Sequence, residues 1–403
     1  GISVVAFVPS APRHRLPRPS SHSQWSMLPF GPQRLLVALF CATLRCCDSL
    51  RVVTANIHAW RDSEHDDNLE RLCALLRSIQ PDVLCLNEVL HPFEPPPPSD
   101  PYWEAVHSRR GRGIKLQPPS DQAQTCLERL RRALGLEHFT FGAATIQGSF
   151  FGDVPFGNAV LSRFPLDRVA HLVMAPEAGD ETLGQQERTP EDLEARGLIT
   201  AEVVLPDGRR IGIGCTHLDH RAEQLRQKQA ALVGAAVDAA FGGGGTADVR
   251  GAPGVCGRGV APREPLPHIL CGDLNSFDRA DLDGEGWEAV RRHYKARGWP
   301  PPTPHSLVLR ELFSRGFEDS FRLAPMEGRV AMAGLSVETS GLRLPPPTCW
   351  TSNPLFRIDW LLLRVPAGCH QSVRVRRHAT LTAAPGQADV SDHRPVVLDV
   401  DLI

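Results

Sequence analysis

The chain is predicted to fold as an α/β domain, and three observations predict it. Short apolar runs of strand length recur along the sequence, segments with helical spacing stand between some of them, and polar residues able to do chemistry sit at the ends of the runs. The pattern is clearest at Ile269-Leu270-Cys271, which stops at Gly272 and continues as Asp273-Leu274-Asn275-Ser276. An apolar run ending in glycine reads as a buried strand that delivers Asp273 and Asn275 to the rim of a sheet, with Leu274 turned back to the core. Alone, Asp-x-Asn after a strand is also ordinary turn chemistry.

The 403 residues exceed what one small core needs, yet large α/β domains reach this length undivided. A hydrophobic share of 42% and a charged share of 22% fit a globular protein. The net charge of −2 supplies no general attraction to nucleic acid or an anionic surface, so polyanion binding must come from local basic clusters. Three such clusters exist, at residues 109–115, with Arg109, Arg110 and Arg112, and at 291–295 and 374–378. Eleven cysteines, an odd number without a CxxC pair, do not form a disulfide framework or a zinc pattern. Cys85, Cys215 and Cys271 lie inside apolar runs and read as small buried hydrophobes.

Residues 1–48 are expected to lack order, because 1–34 are rich in Pro, Ser, Arg and His without a period. Within them, Met27, Arg34 and the apolar run 35–44 resemble the start of a secretory signal. That arrangement implies a secreted or endomembrane protein if the run is used so, and an intracellular one otherwise; the run is short for a membrane span, and none is predicted. The catalytic domain is expected over 49–403. Strands are predicted at 50–55 and 82–86, with a helix between them marked by Leu69, Leu72, Cys73, Leu75 and Leu76. A helix at 121–134 leads to strands at 138–144 and 156–162, and strands 198–205 and 210–216 flank the turn Pro206-Asp207-Gly208. A helix over 221–241 ends in a glycine run, and strands follow at 269–271, 358–363, 373–377 and 396–402. Low-order insertions are expected near 92–120, 171–197 and 242–265, which are rich in Pro, Gly or charge.

Asn56, Glu88, His217 and Asp273 follow strands, whereas Asp359 and Ser391-Asp392-His393 stand at or before the start of strands. A mixed sheet, with strands running both ways, would gather all of them at one rim. Each has a plainer alternative: Glu88 as a solvated strand end, His217 as a core histidine, Asp392 as a turn residue, Asp359 as an anchor for Arg357. Carboxylates with amide oxygens suit a hard divalent cation such as Mg²⁺, with Mn²⁺ as its substitute, and two histidines beside an aspartate suit phosphate stabilisation and proton transfer.

These motifs, in this order, resemble the endonuclease/exonuclease/phosphatase superfamily, which is DNase I-like. The resemblance runs from Thr54-Ala55-Asn56 through Leu86-Asn87-Glu88-Val89, Gly157-Asn158-Ala159-Val160, Thr216-His217-Leu218, Gly272-Asp273-Leu274-Asn275 and Ile358-Asp359-Trp360 to Ser391-Asp392-His393. It implies a four-layer sandwich of two packed mixed sheets flanked by helices. It also implies roles: Glu88 as principal metal ligand with Asn56 and Asp392, Asp273 and Asn275 at the attacking water and phosphate, His393 as catalytic histidine supported by Asp359, and His217 facing the phosphate. Asn158 is expected to bind substrate together with Arg109, Arg110 and Arg112. His217 stands where AP endonucleases carry Tyr, and the signatures of inositol 5-phosphatases are missing. The expected activity is a Mg²⁺-dependent phosphodiesterase or nuclease, nucleic acid being favoured as substrate. The alternatives are a sphingomyelinase-like enzyme acting on lipid or small phosphoesters, and an inert binding scaffold.

Overall fold

The computed structural model describes residues 2–7, 49–95, 100, 124–145, 154–176, 195–243, 264–333, 336–349, 351, 353–382 and 389–403. Fifteen strands lie among them, in two sheets. They are β1 (Ile2–Phe7), β2 (Ser49–Asn56), β3 (Val83–Leu90), β4 (His138–Thr145), β5 (Phe156–Ser162), β6 (Leu166–Pro176), β7 (Arg196–Val204) and β8 (Arg210–His217). The rest are β9 (His268–Asp273), β10 (Glu318–Asp319), β11 (Arg329–Ala333), β12 (Ser336–Thr339), β13 (Asp359–Arg364), β14 (Val373–Thr382) and β15 (Val396–Leu402). One sheet has the order β1-β6-β7-β8-β9-β13-β10 and the other β12-β11-β14-β15-β2-β3-β5-β4. The helices are α1 (Leu69–Ile79), α2 (Cys126–Leu134), α3 (Glu223–Phe241), α4 (Gly284–Ala296), α5 (Leu307–Ser314) and α6 (Ser320–Leu323).

The alternation of side chains along the central strands sorts them into three apolar layers. Val52, Cys85, Val160, Ile213, Cys215, Cys271, Leu361 and Leu398 meet between the sheets. Val53, Leu84, Leu86 and Leu161 point the other way, onto α1 and α2. Leu198, Leu270 and Leu362 point onto α3 and α5. Both faces of the central strands are therefore covered, which is why they read as continuous apolar runs. The result is the expected four-layer sandwich, helix, sheet, sheet, helix, and it carries the three strand cysteines as buried free thiols. No helix among the described residues is long and apolar enough to cross a membrane.

Three expectations are corrected. Residues 1–48 are expected to lack order, yet Ile2–Phe7 among them forms β1, paired antiparallel with β6. The stretch 171–197 is not one uncommitted insertion, since 171–176 complete β6 and Arg196 and Gly197 open β7. Strand β6 is half-exposed and mixes polar with apolar residues, so it lacks the apolar run that marks buried strands. Nor is the segment from 92 a free loop at its start, because Phe93 is buried against α2 and its carbonyl accepts from Cys126 N at 2.8 Å. The signal-like run 35–44 and most of the three insertions lie outside the described residues.

Candidate active site

Strand direction decides which chain ends share the rim. β2 and β3 are parallel, so Asn56 and Glu88 leave the sheet on one side. β15 runs antiparallel to β2, with Val396 opposite Thr54, so the residues that precede it reach that same side. In the other sheet β8 and β9 are parallel, His217 standing beside Asp273, and β13 is antiparallel to β9 with Asp359 opposite Asp273. Asn56, Glu88, His217, Asp273, Asn275, Asp359, Asp392 and His393 thus converge from six elements onto one rim.

Local sequence shapes each presentation. The pairing of β3 with β5 shifts register between Leu86 and Val89, and Glu88 takes φ 56° there. This bulge turns Glu88 to the rim and Asn87 into the gap between the sheets. Asn87 Oδ1 accepts from Asp273 N at 3.0 Å, while its Nδ2 donates to Thr216 O at 3.0 Å and Asn158 Oδ1 at 2.9 Å. Gly272 lies at φ 136°, and a Cβ there would stand 1.8 Å from Thr216 O, so only glycine lets β9 approach β8 at this level. Asp273 does two jobs: Oδ1 accepts from Asn275 N at 2.8 Å, the turn chemistry, while Oδ2 faces the rim. Asn275, with φ 49°, adopts a left-handed backbone that asparagine tolerates, and its amide meets His217 Nε2 at 3.0 Å.

Asp359 and His393 form a buried pair, Oδ2 to Nδ1 at 2.9 Å, with the two side chains 1% and 8% exposed. Arg357 does not compete for Asp359, since it pairs with Asp319 at 2.8 Å and Asp281 at 3.7 Å. Burial opposes charge on His393, but Asp359, Cys349 and Asp273 overcome it and hold the pKa well above the usual histidine value. His217 has the opposite fate, because burial and the positive Arg196, His393 and His220 push its pKa well below the usual value. One rim therefore holds a charged histidine and a neutral one, with Asp273 Oδ2 at 3.7 Å and 3.6 Å from their Nε2 atoms. Burial pushes Asp273 up to about 7, with His393 lowering it and Asp359 raising it. Asp392 is held below the usual carboxylate value, because His393 and His58 outweigh its burial.

Two expected roles change with the geometry. Asn56 does not turn its oxygen to the rim: Oδ1 accepts from His58 N at 3.0 Å, and Nδ2 donates to Glu88 Oε1 at 3.0 Å and Asp273 Oδ2 at 3.1 Å. It positions carboxylates rather than offering a ligand atom. Asn158 is 2% exposed, bonded to Asn87 and, through Nδ2, to Gly197 O at 2.9 Å, so it stands beneath the rim instead of facing substrate. Arg109, Arg110 and Arg112 lie outside the described residues. The basic run 374–378 sits at the wrong end of the sheet, since β14 pairs Val373 with Leu402, far along β15 from His393. Arg376 and Arg377 there are neutralised by Asp401 and Asp399.

Arg196, Cys349 and Thr348 were not singled out from sequence, and Ser391 stood there only as part of the Ser391-Asp392-His393 motif. Arg196 reaches His217 Nδ1 at 3.3 Å and His220 Nδ1 at 2.8 Å. Cys349 Sγ lies 3.6 Å from His393 Nε2, and the Ser391 hydroxyl accepts from His393 N at 3.2 Å and donates to Asn56 O at 2.8 Å. The hydroxyl of Thr348 accepts from Asp359 N at 3.2 Å. Arg196 had a readable signal, its place just before an apolar strand that a hairpin turn folds back toward His217.

Donor chemistry at the rim fits a hard divalent cation. Glu88, Asp273 and Asp392 offer carboxylate oxygens, and buried Asp359 Oδ1 has no hydrogen-bond partner. Asp273, Asp359 and His393 also bring ligand atoms within 4.8 Å of one another. A charged His393 cannot ligate, however, so a cation is better served from the Glu88 side.

A family model described as the endonuclease/exonuclease/phosphatase family matches residues 54–393. The chain belongs to this family of metal-dependent phosphoric ester hydrolases. Among solved structures, the endonuclease/exonuclease/phosphatase from Beutenbergia cavernae DSM 12333 aligns with a TM-score of 0.53 and 21% identity over 88% of this chain and 72% of that one. The counterpart from Bacteroides vulgatus aligns with a TM-score of 0.52 and 14% identity over 88% and 99%. A mannosyl-6-phosphatase of Bacteroides thetaiotaomicron VPI-5482 aligns with a TM-score of 0.50 and 16% identity over 88% and 99%. At these identities the likeness is one of fold. No curated protein matches the chain.

Proposed function

We propose that the chain is a Mg²⁺-dependent phosphodiesterase that hydrolyses its substrate by in-line attack of water on phosphorus. The observation that carries this reading is the rim holding a charged histidine, a neutral one and a carboxylate between them. Charged His393, kept so by Asp359 at 2.9 Å, donates Nε2–H to a non-bridging phosphate oxygen and stabilises the charge that grows there. Asp273, pushed up to about 7 by burial, is a base near neutrality and takes a proton from the attacking water as the new P–O bond forms and the opposite P–O bond breaks, the leaving oxygen taking its proton from solvent water. The Asn275 amide, 3.0 Å from His217 Nε2, fixes that ring toward the phosphate, and Arg196 backs it with positive charge. Held by Glu88 and Asp392, Mg²⁺ would neutralise phosphate charge as a Lewis acid.

An inert scaffold has no need to bring Glu88, Asp273, Asn275, Asp359 and His393 to one rim with this bonding. A lipid-directed enzyme needs an exposed apolar lip; the adjacent Phe150 and Phe151 lie outside the described residues, and exposed Trp299 has the Arg297 guanidinium 5.2 Å from its ring centroid. The test is a screen for hydrolysis of DNA, RNA, sphingomyelin and phosphorylated sugars, with and without chelator and Mg²⁺. Metal-dependent cleavage of a diester is expected; full activity after metal stripping, or activity on monoesters alone, overturns the reading.

A further inference from the structure

Helix α4 ends in a tight cap that fixes an exposed aromatic ring. Gly298, at φ 67°, donates N–H to Lys295 O at 3.1 Å, and Trp299 N donates to Tyr294 O at 3.0 Å. Trp299 packs edge-on against Tyr294 with ring centroids 5.3 Å apart, the apolar contact that accompanies a Schellman motif. Pro300, Pro301 and Pro302 stiffen the exit. Trp299 is nonetheless 41% exposed, and the Arg297 guanidinium lies 5.2 Å from its centroid. Arg291, Arg292, Lys295 and Arg297 are all exposed along the last two turns of α4 and its cap, with Arg291 also reaching Glu288 at 3.0 Å.

The underside of the same helix leads to the catalytic rim. Trp287, Val290 and Tyr294 pack into a cluster with Phe277, Phe356 and Ile358. Phe277 stands two residues beyond Asn275, and Phe356 pairs through its backbone with Cys349, whose Sγ is 3.6 Å from His393 Nε2. One helix, about 10 Å across, therefore separates the basic face of α4 from this cluster beside the reacting groups.

We propose that the outer face of α4 and Trp299 form an accessory site for a single-stranded nucleic-acid segment flanking the scissile phosphate. Trp299 stacks a base, and Arg292, Lys295 and Arg297 hold neighbouring phosphates. The argument is charge complementarity together with the packing that joins α4 to the rim through Phe277 and Phe356: α4 and its cap carry four basic residues against two acidic ones, Glu285 and Glu288, in a chain whose net charge is −2. A membrane lip would expose several large apolar side chains at this place, whereas a single fixed ring between cations suits base stacking. This inference rests on the phosphodiesterase reading and names its substrate class.

The test uses the full chain, anisotropy of a fluorescein-labelled oligo-dT, and hydrolysis of the oligonucleotide and of bis(4-nitrophenyl) phosphate, which is too small to reach α4. Trp299→Ala is expected to weaken oligonucleotide binding at least about fivefold and Trp299→Phe to restore most of it, with small-diester hydrolysis unchanged. Replacing Arg292 and Lys295 by Ala is expected to flatten the salt dependence of binding by about 0.7 in log–log slope per lost contact. Unchanged binding in Trp299→Ala, or capture of anionic vesicles in place of the oligonucleotide, overturns the inference. Metal-dependent hydrolysis of the small diester without oligonucleotide binding defeats the inference and leaves the phosphodiesterase reading standing; Trp299-dependent binding without hydrolysis of any diester does the reverse.

Discussion

At the scale of single residues the site turns on Asp359 and His393, whose 2.9 Å bond makes one charged unit from two side chains. Either change, Asp359→Asn or His393→Ala, should lower kcat by about 10²- to 10⁴-fold, and the double variant should be little worse than the poorer single one. Losses that multiply in the double variant would mean the two act separately. The pH profile follows from two directions. His393 must stay protonated, so activity falls as pH rises through its raised pKa; Asp273 must be deprotonated, so activity is gained as pH rises toward about 7. A cation beside Asp273 pulls that acid limb lower. Asp359→Asn removes the charge that favours imidazolium and should move the alkaline limb to lower pH, read from kcat/KM across pH in Mg²⁺. An alkaline limb that does not move assigns it to another group.

The elements that carry these residues come from two sheets, and something must lock the sheets together at the rim. Asn87 does so, accepting from Asp273 N on β9 and donating to Thr216 O on β8 while rooted in β3. Asn87→Ala leaves buried backbone groups without partners and should lower unfolding stability by about 1–3 kcal/mol in a denaturant titration, with activity reduced because Asp273 is no longer held. An unchanged midpoint would show that the clamp is dispensable. Among the described residues β1 occupies the far edge of its sheet, four strands before β9, and pairs with β6. A chain beginning at Asp48 should therefore keep metal-dependent activity, since edge pairing contributes least to the core. Loss of soluble protein on that truncation, with the longer chain soluble, would show that the fold needs β1.

Across the whole molecule the rim is a concentration of carboxylates in a buried setting, and that arrangement costs stability until a cation neutralises it. Mg²⁺ should raise the thermal midpoint by mass action and chelator should reverse it. Glu88→Gln, which removes a carboxylate and leaves the Asn56 contact possible, should blunt that thermal shift and raise the Mg²⁺ needed for activity. A midpoint indifferent to Mg²⁺ in the wild type would place the cation elsewhere.

The α/β class, the central strands and the polar residues at their ends were legible in the sequence because buried strands must be apolar on both faces and must end where polarity begins. The residues 396–402, read as a strand, form β15 with those bounds. What sequence could not decide was which atoms face which. Asn56 and Asn158 stand where ligands were expected, yet hydrogen bonds across 32 and 39 residues turn them into supports, and such pairings leave no local trace. Arg196 joins the rim only because β7 pairs with β8 in the register Gly197 to His217. The opposite charge states of His217 and His393 come from burial and from neighbours brought in by other strands, and so belong to the tertiary structure alone. Composition and period decide what a segment becomes; long-range register and burial decide what its side chains can do.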